Sequence, residues 1–362
     1  MSIRTAMFED RETVARLLAR NGLSPHTEEH WRRLWSSNPA LGAFPEPPPI
    51  GWVLVADDRV VGYLGNIPML YEFEGRTLTA AATHAWAVDP AHRNRAILLV
   101  QQFLRQTGVD LLLNTTASFE ASRVFEALRV PRVPTPHYDV ALAWITGPIG
   151  VAKSTLRHRG VPLAGLLGYP IGVGLALQRL GKRSGRASSA AVRRLSFSEP
   201  GFDGLVGDFW PRLKHQDSRL LAHRDPASLR WRLADPSTRI YTIGDDDGHI
   251  SSWAIVVDED NEEIGLRRRR LIDVRSTGDD GREAVRNLLR GAVADCRRDG
   301  VHVLEAIGFA GATRSHLEAL AEHRRQLPTW MFFYVASDPE LAARLARPEA
   351  WDPCFFDGDG VL

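Results

Sequence analysis

Cysteine is nearly missing from this chain: 362 residues include two, Cys296 and Cys354. That excludes a disulfide framework and a cysteine-built metal site, and no metal is expected from the sequence. An excess of one charge is missing too. Lys and Arg number 45 against 44 Asp and Glu, a formal charge of +1. Such a balance gives no general nucleic-acid-binding surface, and nucleic acid is not an expected partner. The start, Met-Ser-Ile-Arg, lacks the apolar core of a secretory signal, so a cytoplasmic location is the expectation. Only one apolar run is long, Gly160 to Arg179. A spanning helix needs ~20 apolar residues, and Pro162, Pro170 and several glycines interrupt this one. Two readings stand. One is a broken interdomain helix buried against both domains. The other is peripheral contact with the inner membrane face, since Arg157, His158 and Arg159 precede the run and Lys182, Arg183 and Arg186 follow it.

What is present is the composition of an ordinary globular protein, 44% hydrophobic and 25% charged, at a length that suggests two domains. Ser2–Phe8 reads as a strand. Asp10–Asn21 reads as a helix with Val14, Leu17 and Leu18 on one face and Asn21-Gly22 as its stop. Thr27–Ser36 is a second helix, with Trp31 and Leu34 facing inward. Hairpins are expected at Asp57-Asp58 and near Glu74-Gly75. A strand over Tyr71–Ala87, a helix after Arg95, a strand at Asp110–Asn114 and a helix from Ser118 follow. After the apolar run and a Ser/Gly/Arg linker at Lys182–Ser189, strands and helices recur in similar order to Ala336.

Residues 84–130 carry the most information. An alternating strand ends in Val88-Asp-Pro90, and a basic turn, Ala-His-Arg93-Asn94-Arg95-Ala96, then opens a helix. Unpaired N–H groups at such a helix start form an anion site, to which Arg93 and Arg95 add positive charge. This stretch resembles the acyl-CoA-binding core of the GNAT acyltransferase superfamily, in which a Val-x-Pro-x-x-Arg-x-x-Gly-x-Gly/Ala turn holds the cofactor pyrophosphate. Val88, Pro90 and Arg93 match. Ala96 and Leu98 stand at the two small positions, and Leu98 would crowd a phosphate approaching the backbone. In the second helix the register gives Ser118, Ala121, Phe125 and Arg129 where the family often has Asn, Ala, Tyr and Gly, so the tyrosine that often serves as general acid is absent.

The resemblance implies an α/β fold with a mixed sheet. The recurrence of elements extends it to two GNAT-like units in tandem: an N-terminal unit over 1–146 with the acyl-CoA site, an apolar connector and linker over 147–190, and a degenerate unit over 191–362. At the matching place the second unit has Asp273-Val-Arg275-Ser-Thr-Gly-Asp279-Asp280, whose carboxylates suit the helix dipole but repel a pyrophosphate.

The resemblance also implies the chemistry, transfer of an acyl group, acetyl by expectation, from acetyl-CoA or another acyl-CoA to an amine or hydroxyl of a small molecule, sugar or amino acid. Cofactor contacts fall to Ala87 and Val88, whose backbone N–H groups would polarise the carbonyl, and to Arg93, Asn94, Arg95 and Ala96. Asn114, Thr115 and Thr116 end the next strand and Ser118 opens the helix after it; they are either ligand contacts or helix caps. His84 is the candidate base, set by alternation on one face with Trp86 and Val88, or else a hydrogen-bonded core histidine. The tail, Trp351-Asp-Pro-Cys354-Phe-Phe-Asp357-Gly-Asp359-Gly, either folds back to offer Asp357 or Asp359 as an acid or base, or is a solvated turn. Arg267–Arg270 is either a solvated basic face or a contact for an acidic substrate.

Three functions remain open at this point. The first is an acyl-CoA-dependent acyltransferase, with an acyl-carrier protein as alternative donor. The second is a non-catalytic GNAT-like protein that senses acyl-CoA or binds a partner. The third, an aminoacyl-tRNA-dependent transferase, needs a basic groove that the charge balance does not supply. The oligomeric state is not legible.

Overall fold

The computed structural model describes residues 1–180, 192–278 and 281–362. The expected linker, with its Lys182, Arg183 and Arg186, and the pair Asp279-Asp280 lie outside the described residues. In chain order the first elements are β1 (Ser2–Thr5), α1 (Arg11–Arg20), α2 (Glu28–Trp35), β2 (Gly51–Ala56), β3 (Arg59–Phe73), β4 (Arg76–Val88), α3 (Ala96–Arg105), β5 (Leu111–Asn114), α4 (Phe119–Ala127) and β6 (Val140–Ile145). Then come α5 (Pro148–His158), α6 (Ala164–Leu180), β7 (Arg193–Leu195), α7 (Phe202–Gln216), β8 (Leu221–Ala222), α8 (Pro226–Arg232), β9 (Arg239–Gly244) and β10 (Ile250–Asp258). The last are β11 (Arg268–Ser276), α9 (Gly281–Arg298), β12 (Val303–Ala306), α10 (Gly311–Leu320), β13 (His323–Gln326), β14 (Phe333–Ala336) and α11 (Pro339–Leu345).

Local chemistry explains most of these bounds. Thr27 caps α2 by accepting from the His30 N–H, and Ser118 caps α4 by accepting from the Ala121 N–H. Asp57 and Asp58 both have positive φ, 47° and 57°, as a two-residue hairpin between right-twisted strands requires. Glu74 and Gly75 do the same between β3 and β4.

The chain forms two compact units that are not consecutive in sequence. The first comprises Met1–Pro136, Asp217–Leu233 and Pro328–Leu362, and the second His137–Gln216 and Ala234–Leu327. The first sheet runs β1-β2-β3-β4-β5-β14, with β8 on the far end of β3. The second runs β13-β6-β12-β11-β10-β9-β7. Each holds one parallel pair, β4 with β5 and β11 with β12, and each parallel pair is followed by an antiparallel strand from the other half of the sequence. That strand is β14 in the first sheet and β6 in the second.

The boundaries 1–146, 147–190 and 191–362 therefore differ from the folded units. Sequence order reveals a strand but not its partner, and the free edges of β5 and β12 are each satisfied by a strand from far along the chain.

Two other expectations change. The apolar run does not form a broken, buried helix. It continues through Pro170 as α6, with Leu163 71%, Leu166 68% and Tyr169 53% exposed. Glycines let α6 lie close on α5: a Cβ on Gly172 would sit 2.5 Å from Ile149 Cα. Among the described residues no helix is long and apolar enough to cross a membrane. The Arg267–Arg270 run is neither a solvated face nor a substrate contact throughout. Arg269 is 0% exposed and pairs with Asp258 (2.6 Å) and Asp299 (3.1 Å). Buried Arg270 pairs with Glu259 and Glu305. Fully desolvated guanidinium groups must be matched by carboxylates in this way, because an unpaired buried charge is strongly destabilising.

The first unit's core lies between its sheet and α3 and α4. Leu54, Leu64, Ala81, Val88, Leu99, Val100, Phe103, Leu112 and Phe125 share one buried cluster. Phe125, at the position where the tyrosine is absent, stacks on Phe333 with ring centroids 5.3 Å apart. That ring is part of the core.

Candidate functional site

β4 and β5 pair only from Ala80 to Ala82, opposite Leu111 to Leu113. Beyond that point Thr83–Val88 has no strand partner on its β5 side among the described residues, while its other edge stays paired with β3. The Asp89 N–H donates to Val61 O on β3 at 2.8 Å. Successive N–H groups of a strand point to opposite edges, so the Val88 N–H points to the open side and the Ala87 N–H to β3. Of the two backbone donors expected from sequence, Val88 is placed at the opening and Ala87 is not.

A bulge interrupts β4 within this stretch. Tyr63 pairs with Ala87 and Gly65 with His84, so Ala85 and Trp86 together oppose Leu64. Ala85 takes the extra step with φ of 49°, a left-handed conformation uncommon for alanine. The insertion reverses the alternation. His84 lies on the face of Ala87, not with Trp86 and Val88, which pack in the α3 cluster. This corrects the expected face: a simple period of two fails where one strand carries an extra residue.

On its actual face His84 meets three groups. Its Nδ1 lies 3.2 Å from Asp359 Oδ2. Its Nε2 lies 3.2 Å from Nε2 of His26, whose ring stacks on it at 5.1 Å between centroids. The His30 ring is 6.1 Å away. The other oxygen of Asp359, Oδ1, accepts from the Thr115 hydroxyl (3.0 Å) and the Thr116 hydroxyl (2.8 Å). The carboxylate is thus acceptor for three donors, and Nδ1 of His84 carries the proton. Nε2 then presents its lone pair.

Burial works on the neighbouring rings. The His26 imidazole is pushed down to about 2, first by burial and then by repulsion from His84 and His30. His30 is pushed down to about 4, first by burial, then by His84 and Arg33. Both are neutral near pH 7. Arg33 Nη2 also donates to His30 Nδ1 at 3.1 Å.

The tail does fold back into the first unit, and two buried arginines aim it. Arg232 donates to the Phe356 and Gly358 carbonyls at 2.7 and 2.8 Å. Arg224 donates to Asp357 Oδ1 at 2.9 Å. The Phe356 ring lies between the two guanidinium groups, at 4.7 and 4.8 Å from its centroid. Gly358 leaves room where a Cβ would fall 1.6 Å from Thr115 Oγ1. Asp357, one of the two acids named from sequence, is 2% exposed and bound to Arg224, the Cys354 N–H and the Ala222 N–H. It holds the turn. The structure places Asp359, not Asp357, on His84.

The remaining sequence candidates divide. Arg93, Asn94 and Arg95 are exposed in the 3-10 segment Pro90–Arg95 before α3, and Ala96 is half-buried at the start of α3. No side chain caps that helix; the preceding 3-10 segment runs straight into it, and the Ala96 N–H donates to Arg93 O. Asn114 ends β5 and donates to the Thr83 hydroxyl at 2.7 Å, while its Oδ1 is buried with no partner. Ser118 is occupied as the cap of α4, and Thr115 and Thr116 serve Asp359. The sequence reading does not single out His26 or His30. Their spacing, His26-x3-His30, was the available signal, but only the packing of α2 on β4 brings them to His84.

No family model and no curated protein matches the sequence. Solved structures do match. A GCN5-related N-acetyltransferase from Anabaena variabilis superposes with a TM-score of 0.54 at 14% identity, over 93% of this chain and 73% of that one. A probable N-acyltransferase from Enterococcus faecalis gives 0.54 at 12%, over 92% and 69%. The Saccharomyces cerevisiae N-myristoyltransferase, solved with bound myristoyl-CoA, gives 0.56 at 12%, over 94% and 85%. With each sheet built around one parallel pair and completed by a strand from the other half of the sequence, the chain has the GNAT fold in two tandem units.

Proposed function

We propose that the first unit is an acyl-CoA-dependent acyltransferase, acting on an amine or hydroxyl of a small acceptor. The observation that carries this reading is the His84–Asp359 pair on the segment of β4 that β5 leaves open. In acyl transfer the acceptor must lose a proton as it attacks the thioester, and a neutral imidazole held in one tautomer by a carboxylate suits that task. The Val88 N–H, facing the open edge, is a donor for the developing oxyanion. Asn114 Oδ1, buried and unpartnered, is an acceptor for an amide of the pantetheine arm. The positive end of α3, with the exposed Arg93 and Arg95, is the candidate site for the pyrophosphate. The attack forms a tetrahedral adduct; its collapse expels the CoA thiolate and leaves the acylated acceptor, with the acceptor proton on His84 Nε2.

The binding half of this proposal is tested by titrating acetyl-CoA and a long-chain acyl-CoA into the purified protein by calorimetry, with Arg93→Glu as control. Saturable binding lost in the control supports the cofactor site, and the preferred chain length narrows the acceptor search. Equal affinity in the control removes it. No binding to either thioester leaves a carrier-protein donor or a partner-binding role. Phe125 in place of a tyrosine favours a second reading, acyl-CoA sensing without turnover, which binding with no acyl transfer to any amine would support.

A further inference from the structure

The His26, His30 and His84 cluster has a second use. We propose that these three side chains form a binding site for a divalent transition-metal ion of zinc type, with Asp359 as the carboxylate that orients His84. One ring nitrogen from each residue lies within 4.8 Å of the others. The two Nε2 atoms of His26 and His84 are 3.2 Å apart. Two nitrogens on a tetrahedral zinc at ~2.05 Å would be separated by ~3.3 Å, so this pair already has the spacing of two ligands. The Asp359–His84 hydrogen bond through Nδ1 is the carboxylate–histidine arrangement that fixes a ligating imidazole and leaves Nε2 free for the ion.

The protein alone does not satisfy the His26 ring. Nδ1 of His26 is buried without a partner, and the His26–His84 contact has only one shared proton to hold it. A metal ion between the two Nε2 atoms displaces that proton, which moves to Nδ1 of His26 so that the ring stays neutral. One feature opposes it: Arg33 donates to His30 Nδ1, so His30 ligates through that nitrogen only if Arg33 swings away, or through the other after shifting its proton. Imidazole donors without thiolate or carboxylate in the first sphere favour zinc, copper or nickel over magnesium or calcium.

Metal occupancy would tie up the His84 lone pair. If His84 is the base of the proposed acyl transfer, the metal-bound and base-competent states exclude one another. The site itself does not depend on that reading.

The experiment is a cobalt titration of the full chain without any acyl-CoA. The expected result is saturation at about one Co2+ per chain with intense visible d–d bands of a tetrahedral ion, removed by equimolar Zn2+. His30→Ala and His26→Ala are expected to abolish the bands with circular dichroism unchanged. Asp359→Asn is expected to weaken binding by about 10- to 100-fold. Weak octahedral absorption or no saturation in the unaltered protein would overturn the proposal, as would equal affinity in folded His30→Ala. If the histidine variants fail to fold, the stoichiometry and spectrum of the unaltered chain still decide. Because acyl-CoA calorimetry is a separate readout, loss of one proposal leaves the other standing.

Discussion

His84 Nδ1 and Asp359 Oδ2 lie 3.2 Å apart although 275 residues separate them in the chain. The distance matters because it decides the tautomer. A carboxylate already accepting two threonine hydroxyls can only be an acceptor toward the ring, so in the neutral ring the proton sits on Nδ1 and the lone pair on Nε2. A histidine on a strand could be core; a histidine held in this way is set up for proton transfer or for ligation.

Asp359→Asn therefore tests orientation. The amide can donate to Nδ1 and turn the imidazole to the other tautomer. The expected outcome is a fall in kcat within the range attributed to a general base, about 10²- to 10⁴-fold, with acyl-CoA affinity unchanged. His84→Ala should fall at least as far, and the double variant no further than His84→Ala alone. Additive losses in the double variant would mean that the two residues act independently.

Asp357 and Asp359 should separate by stability. Asp357 neutralises Arg224, which is fully buried and also touches Cys354 Sγ at 3.4 Å. Removing one partner of a buried pair costs on the order of 3–5 kcal/mol. Asp357→Asn is expected to lower the urea midpoint accordingly, whereas Asp359→Asn should leave it within about 1 kcal/mol. Equal midpoints for the two variants would contradict the division into a turn-holding and a site carboxylate.

The histidine cluster makes stability depend on pH in a fixed direction. His26 and His30 have folded values pushed down to about 2 and about 4, below the ~6.5 of an unfolded histidine. Between those values the unfolded chain binds more protons, so stability is complete above ~6.5 and is lost as pH falls. Each histidine contributes a slope of up to about 1.4 kcal/mol per pH unit in that window. Urea unfolding at about pH 7.5 and about pH 5 should show the loss, and His26→Gln should reduce the difference by one histidine's share. An unchanged slope in His26→Gln would show that its ring is not held neutral.

How much of this was legible in the sequence follows from which interactions are local. Caps and turns are local, and Thr27, Ser118, Asp57-Asp58 and Glu74-Gly75 read correctly from a few neighbouring residues. The Val88–Arg95 turn is local as well, and it pointed to the GNAT fold. Pairing is not local. Nothing near Val140–Ile145 or Phe333–Ala336 says that these two strands complete sheets in the opposite halves of the chain. The site inherits that limit. His84 could be named, but its partners come from the stretch before α2 and from the tail. Its face depended on one extra residue, Ala85, that no alternation pattern displays. Arg267–Arg270 misled for the same reason, because the carboxylates that neutralise Arg269 and Arg270 come from other parts of the second unit.

The bulge itself gives the last prediction. Ala85 is held at φ of 49°, which costs an L-residue roughly 1–2 kcal/mol that glycine would not incur. Ala85→Gly also loosens the unfolded chain, so its net effect on stability should be within about 1 kcal/mol. Ala85→Val should cost about 1–3 kcal/mol, because a β-branched side chain is least tolerant of that conformation. Opposite the bulge, Gly65 is needed for space: a Cβ there would lie 2.8 Å from the His84 carbonyl oxygen and 2.9 Å from Tyr63 Oη. Relief in Gly65→Ala requires the His84 backbone to move, and a displacement near 1 Å at a catalytic group can cost about 10²-fold. Gly65→Ala should therefore lower turnover far more than its melting temperature suggests, while Ala85→Gly retains turnover. Full activity in folded Gly65→Ala would mean that the bulge does not set the position of His84.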